Sequence, residues 1–330
     1  MNTKFILFEN NTNNIKKDYS YVIMQEAFKI NYVKLYEGAK WMGKKYTTNF
    51  YNLVCKNNLF LSRIWYRLYF LNTRLIKGEP YIWVFSEWHP IVEKLEIVQW
   101  IKRKYKIRTV LIIRNMIVNK KYPTVRNISL IDLMKSFDLV ITDEKKDAYL
   151  YHLCFLPDPF SVITKRKTKT KVDICFSGKD KGRAELISLI AEKAEDSGVV
   201  YDFRIMEKKV RYMNLQYSEY QPYIEIIKQD MSSNCILEVL QSGQDSCTLR
   251  LQEAVCLGKK LLTNNQNVIK EKYYNPQYIH IFNKIDDIDW NFVIERTHVD
   301  YGYEGEYSPI HFFKEIDKKL NMNRIGENYD

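Results

Sequence analysis

Short apolar runs alternate with amphipathic segments along the whole chain, and this alternation constrains the fold more than any other feature. "KFILF" (Lys4–Phe8), "YIWVF" (Tyr81–Phe85), "RTVLII" (Arg108–Ile113) and "DLVIT" (Asp138–Thr142) are too short for helices and rich in β-branched and aromatic residues. They read as strands buried on both faces. Between them Pro90–Lys104 and Leu130–Phe137 have helical amphipathicity. "ITDEKKDAYLYHL" offers Thr142 or Asp143 as an N-cap, with acids in the first turn. "CFLPDPF" (Cys154–Phe160) and the basic "TKRKTKTK" (Thr164–Lys171) then form either an interdomain linker or a surface loop.

The alternation restarts beyond that point. Val172–Gly178, Tyr201–Met206, Cys235–Leu240, Lys259–Asn264 and Tyr278–Phe282 read as strands. Lys181–Asp196, a segment starting near Pro222, and Ser246–Leu257 read as helices. Ser308 as N-cap with Pro309 behind it opens a terminal helix. Two βα series in 330 residues predict an α/β fold of two Rossmann-like, doubly wound domains facing each other across a cleft. The expected division is an acceptor-binding domain over 1–160 and a donor-binding domain over 161–307. A helix and tail over 308–330 is expected to pack back on the first domain.

Charge is uneven along this frame. Residues through Lys165 carry 27 Lys+Arg against 14 Asp+Glu, whereas the remainder carries 24 against 26. The first half therefore suits an anionic partner, whether nucleic acid, lipid headgroup or phosphorylated substrate, or simply has a basic surface. Six scattered cysteines with no CxxC spacing, and no HExxH, predict a reducing compartment and no structural zinc. No signal-peptide layout or long apolar run is present, so a cytoplasmic location is expected, with attachment to the inner face of the plasma membrane left open.

Two polar segments sit where strands give way to helices. "CFSGKDKGR" combines Gly178 and Gly182 with Lys179, Lys181 and Arg183, which suits a phosphate site at a helix N-terminus; a solvated basic turn is the alternative. "VLQSGQDSCTLRLQEAVCLGKKLLTNN" offers Gly243 in a turn and Asp245 or Ser246 as N-cap. Arg250 and Glu253 share a helix face three residues apart, fit to clamp a phosphate and accept ribose hydroxyls, or to form an ordinary surface ion pair.

Residues Val172 to Phe282 resemble the donor domain of GT-B glycosyltransferases of bacterial surface-polysaccharide (capsule or lipopolysaccharide) assembly. The resemblance rests on the Gly/Lys/Arg loop, on Gln244, Thr248, Arg250, Glu253 and Ala254, and on Lys259–Asn265. It implies a donor site made of Gly178, Lys179, Lys181, Arg183, Gly243, Gln244, Asp245, Ser246, Thr248, Arg250 and Glu253. It further implies that Asp245 contacts the sugar, or only caps the helix, and that Glu253 contacts the ribose. The implied activity is transfer of a sugar from a nucleotide-diphosphate sugar to a glycan or lipid-linked glycan, without metal or other cofactor. Charge on the leaving diphosphate would be met by the cations and the helix start.

In the first half, Glu87 and His89 in "VFSEWHP" follow a strand, and Asp18 lies in a polar loop. Each is a candidate catalytic base; caps for the first two and a turn for the third are the alternatives. Arg114 and Asn115 end another strand and are candidate acceptor contacts. In Leu59–Lys77, Arg63, Arg67 and Arg74 form a helical stripe amid aromatics, suiting a membrane surface or a core helix with a solvated edge. Asp287 and Asp289 read as a capped turn rather than a metal-binding DxD. Rival functions are a sugar-nucleotide epimerase of the same architecture and a basic nucleic-acid-binding protein. The latter has no RRM, KH, zinc-finger or clear helix-turn-helix signature, so no nucleic-acid partner is expected.

Overall fold

A computed structural model describes residues 5–8, 19–30, 32–36, 58–70, 82–117, 123–162, 169–206, 212–244, 246 and 248–326. The chain divides into two units. One comprises Met1–Lys16, Met24–Pro157 and Phe312–Asp330; the other comprises Lys17–Ile23 and Asp158–His311. Asp18, Asp245 and residues 71–77, Arg74 among them, lie outside the described residues.

In unit 1 the elements run β1 (Phe5–Phe8), α1 (Gln25–Lys29), β2 (Val33–Leu35), α2 (Leu59–Tyr69), β3 (Ile82–Ser86), α3 (Leu95–Tyr105) and β4 (Arg108–Ile113). There follow the hairpin β5 (Thr124–Val125) and β6 (Ile128–Ser129), then α4 (Leu130–Ser136), β7 (Leu139–Thr142), α5 (Lys145–Tyr151) and β8 (Cys154–Phe155). One parallel sheet forms in the order β2-β1-β3-β4-β7-β8. All four residues of β1 are buried, as a parallel strand covered on both faces requires. Alternate side chains serve the two faces. Ile6 and Phe8 join Trp83, Phe85 and Leu111 under Trp65, Tyr66 and Tyr69 of α2 and Ile97, Val98 and Ile101 of α3. Phe5 faces the other way, 4.9 Å from Phe313 of the C-terminal helix (Pro309–Gly326). That helix starts with the Ser308 hydroxyl accepting from His311 N at 3.1 Å, as expected of its cap.

In unit 1 two helix starts differ from the sequence expectation. Pro90–Glu93 is a separate 3-10 turn, because extended Lys94 (φ −134°, ψ 69°) interrupts the helix that resumes at Leu95. The N-cap of α5 is Glu144, not Thr142 or Asp143; the Thr142 hydroxyl instead accepts from Glu144 N.

Unit 2 contains β9 (Val172–Lys179), α6 (Ala184–Asp196), β10 (Tyr201–Met206), β11 (Gln216–Ser218), α7 (Tyr223–Met231), β12 (Ser233–Glu238), α8 (Leu249–Leu257), β13 (Lys260–Thr263), β14 (Ile279–Ile281) and α9 (Trp290–Ile294). Its parallel sheet has the order β11-β10-β9-β12-β13-β14. Ile174, Phe176, Phe203, Ile205, Leu237 and Leu262 form its core with Ile187, Ile190 and Ala191 of α6. Gly258 ends α8 at φ +61°, a conformation costly for any side chain, and a Cβ there would also lie 3.2 Å from Val299 O. The expected fold class, two Rossmann-like units with a C-terminal helix, is the one observed.

Candidate functional site

In unit 2 the chain leaves β9 for β10 and β11, then crosses back to β12 on the other side of β9. The carboxyl ends of β9 and β12 are therefore the switch point, where open α/β sheets take ligands. Both polar segments singled out in the sequence emerge there, and Arg183 ties them together. Its Nη1 donates to Val239 O (2.5 Å) and its Nη2 to Lys179 O (2.7 Å). The guanidinium lies 5.2 Å from the Phe176 ring centroid. Burial lowers its pKa to about 10, and Arg250 adds to that effect. Gly178 makes the room, since a Cβ there would sit 3.0 Å from Arg183 Nη2 and 3.1 Å from Phe176 Cζ. Asp180 Oδ1 accepts from the backbone N of Arg183 (3.0 Å) and of Ala184 (2.9 Å), so the chain's own carboxylate caps the first amides of α6. Lys179, Lys181 and Gly182 are exposed around this loop.

In the second segment Gly243 is exposed at φ +81°, Gln244 is partly buried and Ser246 is buried. The helix begins at Leu249 and its N-cap is Thr248, not Asp245 or Ser246. Glu238 explains the later start. This carboxylate, 1% exposed at the end of β12, accepts from Thr248 N (3.0 Å), Thr248 Oγ1 (2.6 Å) and Thr263 Oγ1 (2.6 Å). Burial raises its pKa against the pull of those bonds. Thr248 Oγ1 also accepts from Arg250 N at 3.2 Å, so one hydroxyl joins the buried acid to the helix start.

Arg250 and Glu253 face the interior. The Arg250 side chain is 14% exposed; Nη1 donates to Asp230 Oδ2 (3.1 Å) and Glu253 Oε2 (2.5 Å), and Nη2 to Ser177 O (2.5 Å). Tyr223 OH donates to the other oxygen of Glu253, and Cys175 Sγ donates to Asp230 at 3.4 Å. Both carboxylates are fully buried. Burial raises the pKa of each, more than Arg250 lowers it, to about 8 for Glu253. Burial works against the Arg250 charge, but Glu253 and Asp230 outweigh it and hold the guanidinium protonated. The pair is thus not a surface ion pair; it faces the interior and braces β9 against α7 and α8.

Beside the β9 terminus a cavity of about 300 Å³ is lined by Arg204, Gln216, Tyr217, Ser218, Tyr220, Gln221, Pro222 and Glu225. Gln221 is 9% exposed and its carboxamide lies 3.2 Å from Ser177 Oγ, whose proton goes to Gln229 Oε1. Neither Gln221 nor Glu238 was singled out from the sequence. A lone acid inside apolar "CILEVL" was the available signal for Glu238. Asp289 caps α9, and Asp287 accepts from Asn283 N and Lys284 N, so both residues of the DxD serve as caps. Among the described residues no group of three His, Cys, Asp or Glu side chains gathers as a metal site would require.

In unit 1 the corresponding switch point lies between β1 and β3. Glu87, just past β3, is 3% exposed and accepts from the Asn115 carboxamide, bringing together two candidates from different strand ends. Arg114, between β4 and Asn115, is half-buried. His89 is 3% exposed; its Nδ1 accepts from Ile91 N at 3.2 Å, capping the 3-10 turn, and its Nε2 lies 3.3 Å from Tyr69 OH. Burial, with Arg126 adding, lowers its pKa to about 3. In α2, Trp65, Tyr66 and Tyr69 are core, while Phe60 (70% exposed), Arg63, Ile64 and Arg67 form an outer stripe. Among the described residues no helix is long and apolar enough to cross a membrane.

No protein-family model matches the chain, nor does any curated protein. Among solved structures it is similar to the UDP-GlcNAc 2-epimerase from Neisseria meningitidis bound to UDP-GlcNAc. That likeness has a TM-score of 0.52 at 12% identity and covers 97% of this chain and 100% of that one. MurG of Acinetobacter baumannii is matched at TM-score 0.37 and 9% identity over 88% of each chain. The glycosyltransferase SnogD from Streptomyces nogalater is matched at 0.33 and 7% over 82% and 84%. The first of these shows the fold; the other two are too remote to add to it.

Proposed function

We propose that the chain is a glycosyltransferase that moves a sugar from a nucleotide-diphosphate sugar to a glycan or lipid-linked glycan acceptor, without a metal. The observation that carries this reading is the convergence of the Gly178–Arg183 loop and the Val239–Thr248 turn at the switch point of unit 2. Exposed Lys179 and Lys181 supply the cations for a diphosphate, and Gly243, Gln244 and Ser246 line the facing turn. Positioned charge of this kind stabilises a leaving diphosphate by a few kcal/mol per contact. Arg250 and Glu253 hold these loops from beneath. Glu87 is the base this reading favours, since His89 is already committed as a neutral cap, and Arg114 and Asn115 stand beside it for the acceptor. The exposed Phe60, Arg63, Ile64 and Arg67 stripe supports contact with the inner face of the plasma membrane and hence a role in surface-polysaccharide synthesis. Isothermal titration with UDP and GDP tests the donor site. Micromolar binding is expected, weakened about tenfold in a K179A/K181A double variant. No binding of any nucleotide sinks the reading.

The full-length likeness to an epimerase bound to UDP-GlcNAc favours a second reading, epimerisation of a sugar nucleotide. NMR of the nucleotide sugar with the protein and no acceptor separates the two. An epimerase changes the sugar under those conditions; a transferase needs an acceptor.

A further inference from the structure

Trp88 stands at the unit 1 switch point, two residues past the end of β3. Its neighbours Glu87 and His89 are each 3% exposed, whereas Trp88 is 52% exposed. Single exposed aromatics are ordinary; this one is distinguished by how it is held and by what borders it. Its backbone N donates to Ser86 Oγ at 3.2 Å, and its carbonyl accepts from Arg126 Nη1 at 2.9 Å. The Arg126 guanidinium lies 5.7 Å from the ring centroid and is itself paired with Glu93. Arg126 and Asn127 turn the β5–β6 hairpin at φ 51° and 65°, a conformation that costs non-glycine residues free energy and so needs support from its surroundings. The hairpin's Arg126 thus holds the Trp88 backbone and lies beside its indole.

Asn115 is exposed past the end of β4, the neighbouring strand, and its Nδ2 donates to buried Glu87, the residue that precedes Trp88. That bond orients the carboxamide and leaves Oδ1 to accept a hydroxyl. An exposed aromatic ring next in sequence to a buried acid that orients a carboxamide from the neighbouring strand end offers the chemistry that recognises a sugar ring. The axial C–H face rests on the indole and the hydroxyls meet the amide.

We propose that Trp88, with Asn115 oriented by Glu87, forms a subsite for a neutral pyranose ring of a glycan. Identifying that glycan as the acceptor rests on the transferase reading above; the binding itself does not. The test uses the full chain, wild type, W88F and W88A, on a printed array of neutral and acidic oligosaccharides, with UDP titrated into each protein as the folding control. Wild type should bind a neutral glycan, W88F should bind it within about threefold, and W88A should lose about tenfold or more, with UDP affinity unchanged. Absence of neutral-glycan binding by wild type, or equal binding by W88A, overturns the subsite. Binding confined to acidic glycans overturns it as well. If wild type ignores UDP yet binds a neutral glycan through Trp88, the subsite stands and the transferase reading falls. If UDP binds and no glycan does, the converse holds. Should W88A alone lose both ligands, W88F decides: full glycan and UDP binding by W88F supports an aromatic platform, and loss of glycan alone refutes it.

Discussion

Removing the single cation from the Arg250 cluster should cost far more than removing one of its two acids. Asp230 and Glu253 are fully buried, and Arg250 is 14% exposed between them. Arg250→Ala leaves Asp230 with only the weaker attraction of Lys259 and takes the Arg250 donor from Ser177 O. Breaking a buried pair in this way typically costs about 3–5 kcal/mol. For a chain this size that lowers the main thermal transition by on the order of 10 °C. Glu253→Gln keeps the shape, an acceptor for Arg250 and a partner for Tyr223, so a loss of about 1 kcal/mol or less is expected at pH 7. The two variants should also differ in pH response. Burial raises the Glu253 pKa to about 8, while the unfolded value is about 4.3. Between those values the unfolded chain releases a proton that the folded chain keeps, so rising pH erodes stability by about 1.4 kcal/mol per unit. Glu253→Gln removes this contribution and should gain on wild type from pH 5 to pH 8. Urea unfolding followed by circular dichroism at pH 5, 6.5 and 8 measures all three proteins. If Arg250→Ala is no less stable than Glu253→Gln at pH 7, or Glu253→Gln tracks wild type across the range, the charge balance described is wrong.

Other outcomes follow from single contacts. Gly178→Ala places a Cβ 3.0 Å from Arg183 Nη2 and 3.1 Å from Phe176 Cζ, so both side chains must shift by a few tenths of an ångström; thermal melts should show about 1–3 kcal/mol lost, and UDP titration should show weaker binding. Thr248→Val removes both the helix cap and a donor to Glu238; about 1–2 kcal/mol should be lost in denaturant melts, with Thr248→Ser recovering most of it. His89, held neutral with its pKa lowered to about 3, stabilises the fold above its unfolded value of about 6.5. That stabilisation is lost as pH falls from 6.5 towards 3. His89→Asn keeps the cap and should flatten stability over that interval, as acid titration of the circular dichroism signal would show.

What the sequence made legible was decided by how local each signal is. Strands such as Ile82–Ser86 and Arg108–Ile113 announce themselves because a buried parallel strand is a nearly unbroken apolar run. The edge strands β2, β8 and β11 are two or three residues long and carry polar or exposed positions, so no local pattern marks them. Helix starts failed where a distant partner sets the cap. Thr248 wins over Asp245 and Ser246 because Glu238, ten residues back on β12, recruits its amide and hydroxyl. The same cause governs the site. At i,i+3 spacing Arg250 and Glu253 look like a surface pair or a pair of ligand contacts, and nothing within the helix distinguishes them. Asp230 and Tyr223, brought in by α7, turn that pair into a buried brace. Arg183 shows the reverse: in sequence it is one of three equivalent cations, yet its carbonyl bonds set it apart from exposed Lys179 and Lys181. In both cases residue type named the chemistry available, and a neighbouring element decided whether it points at the fold or at a ligand.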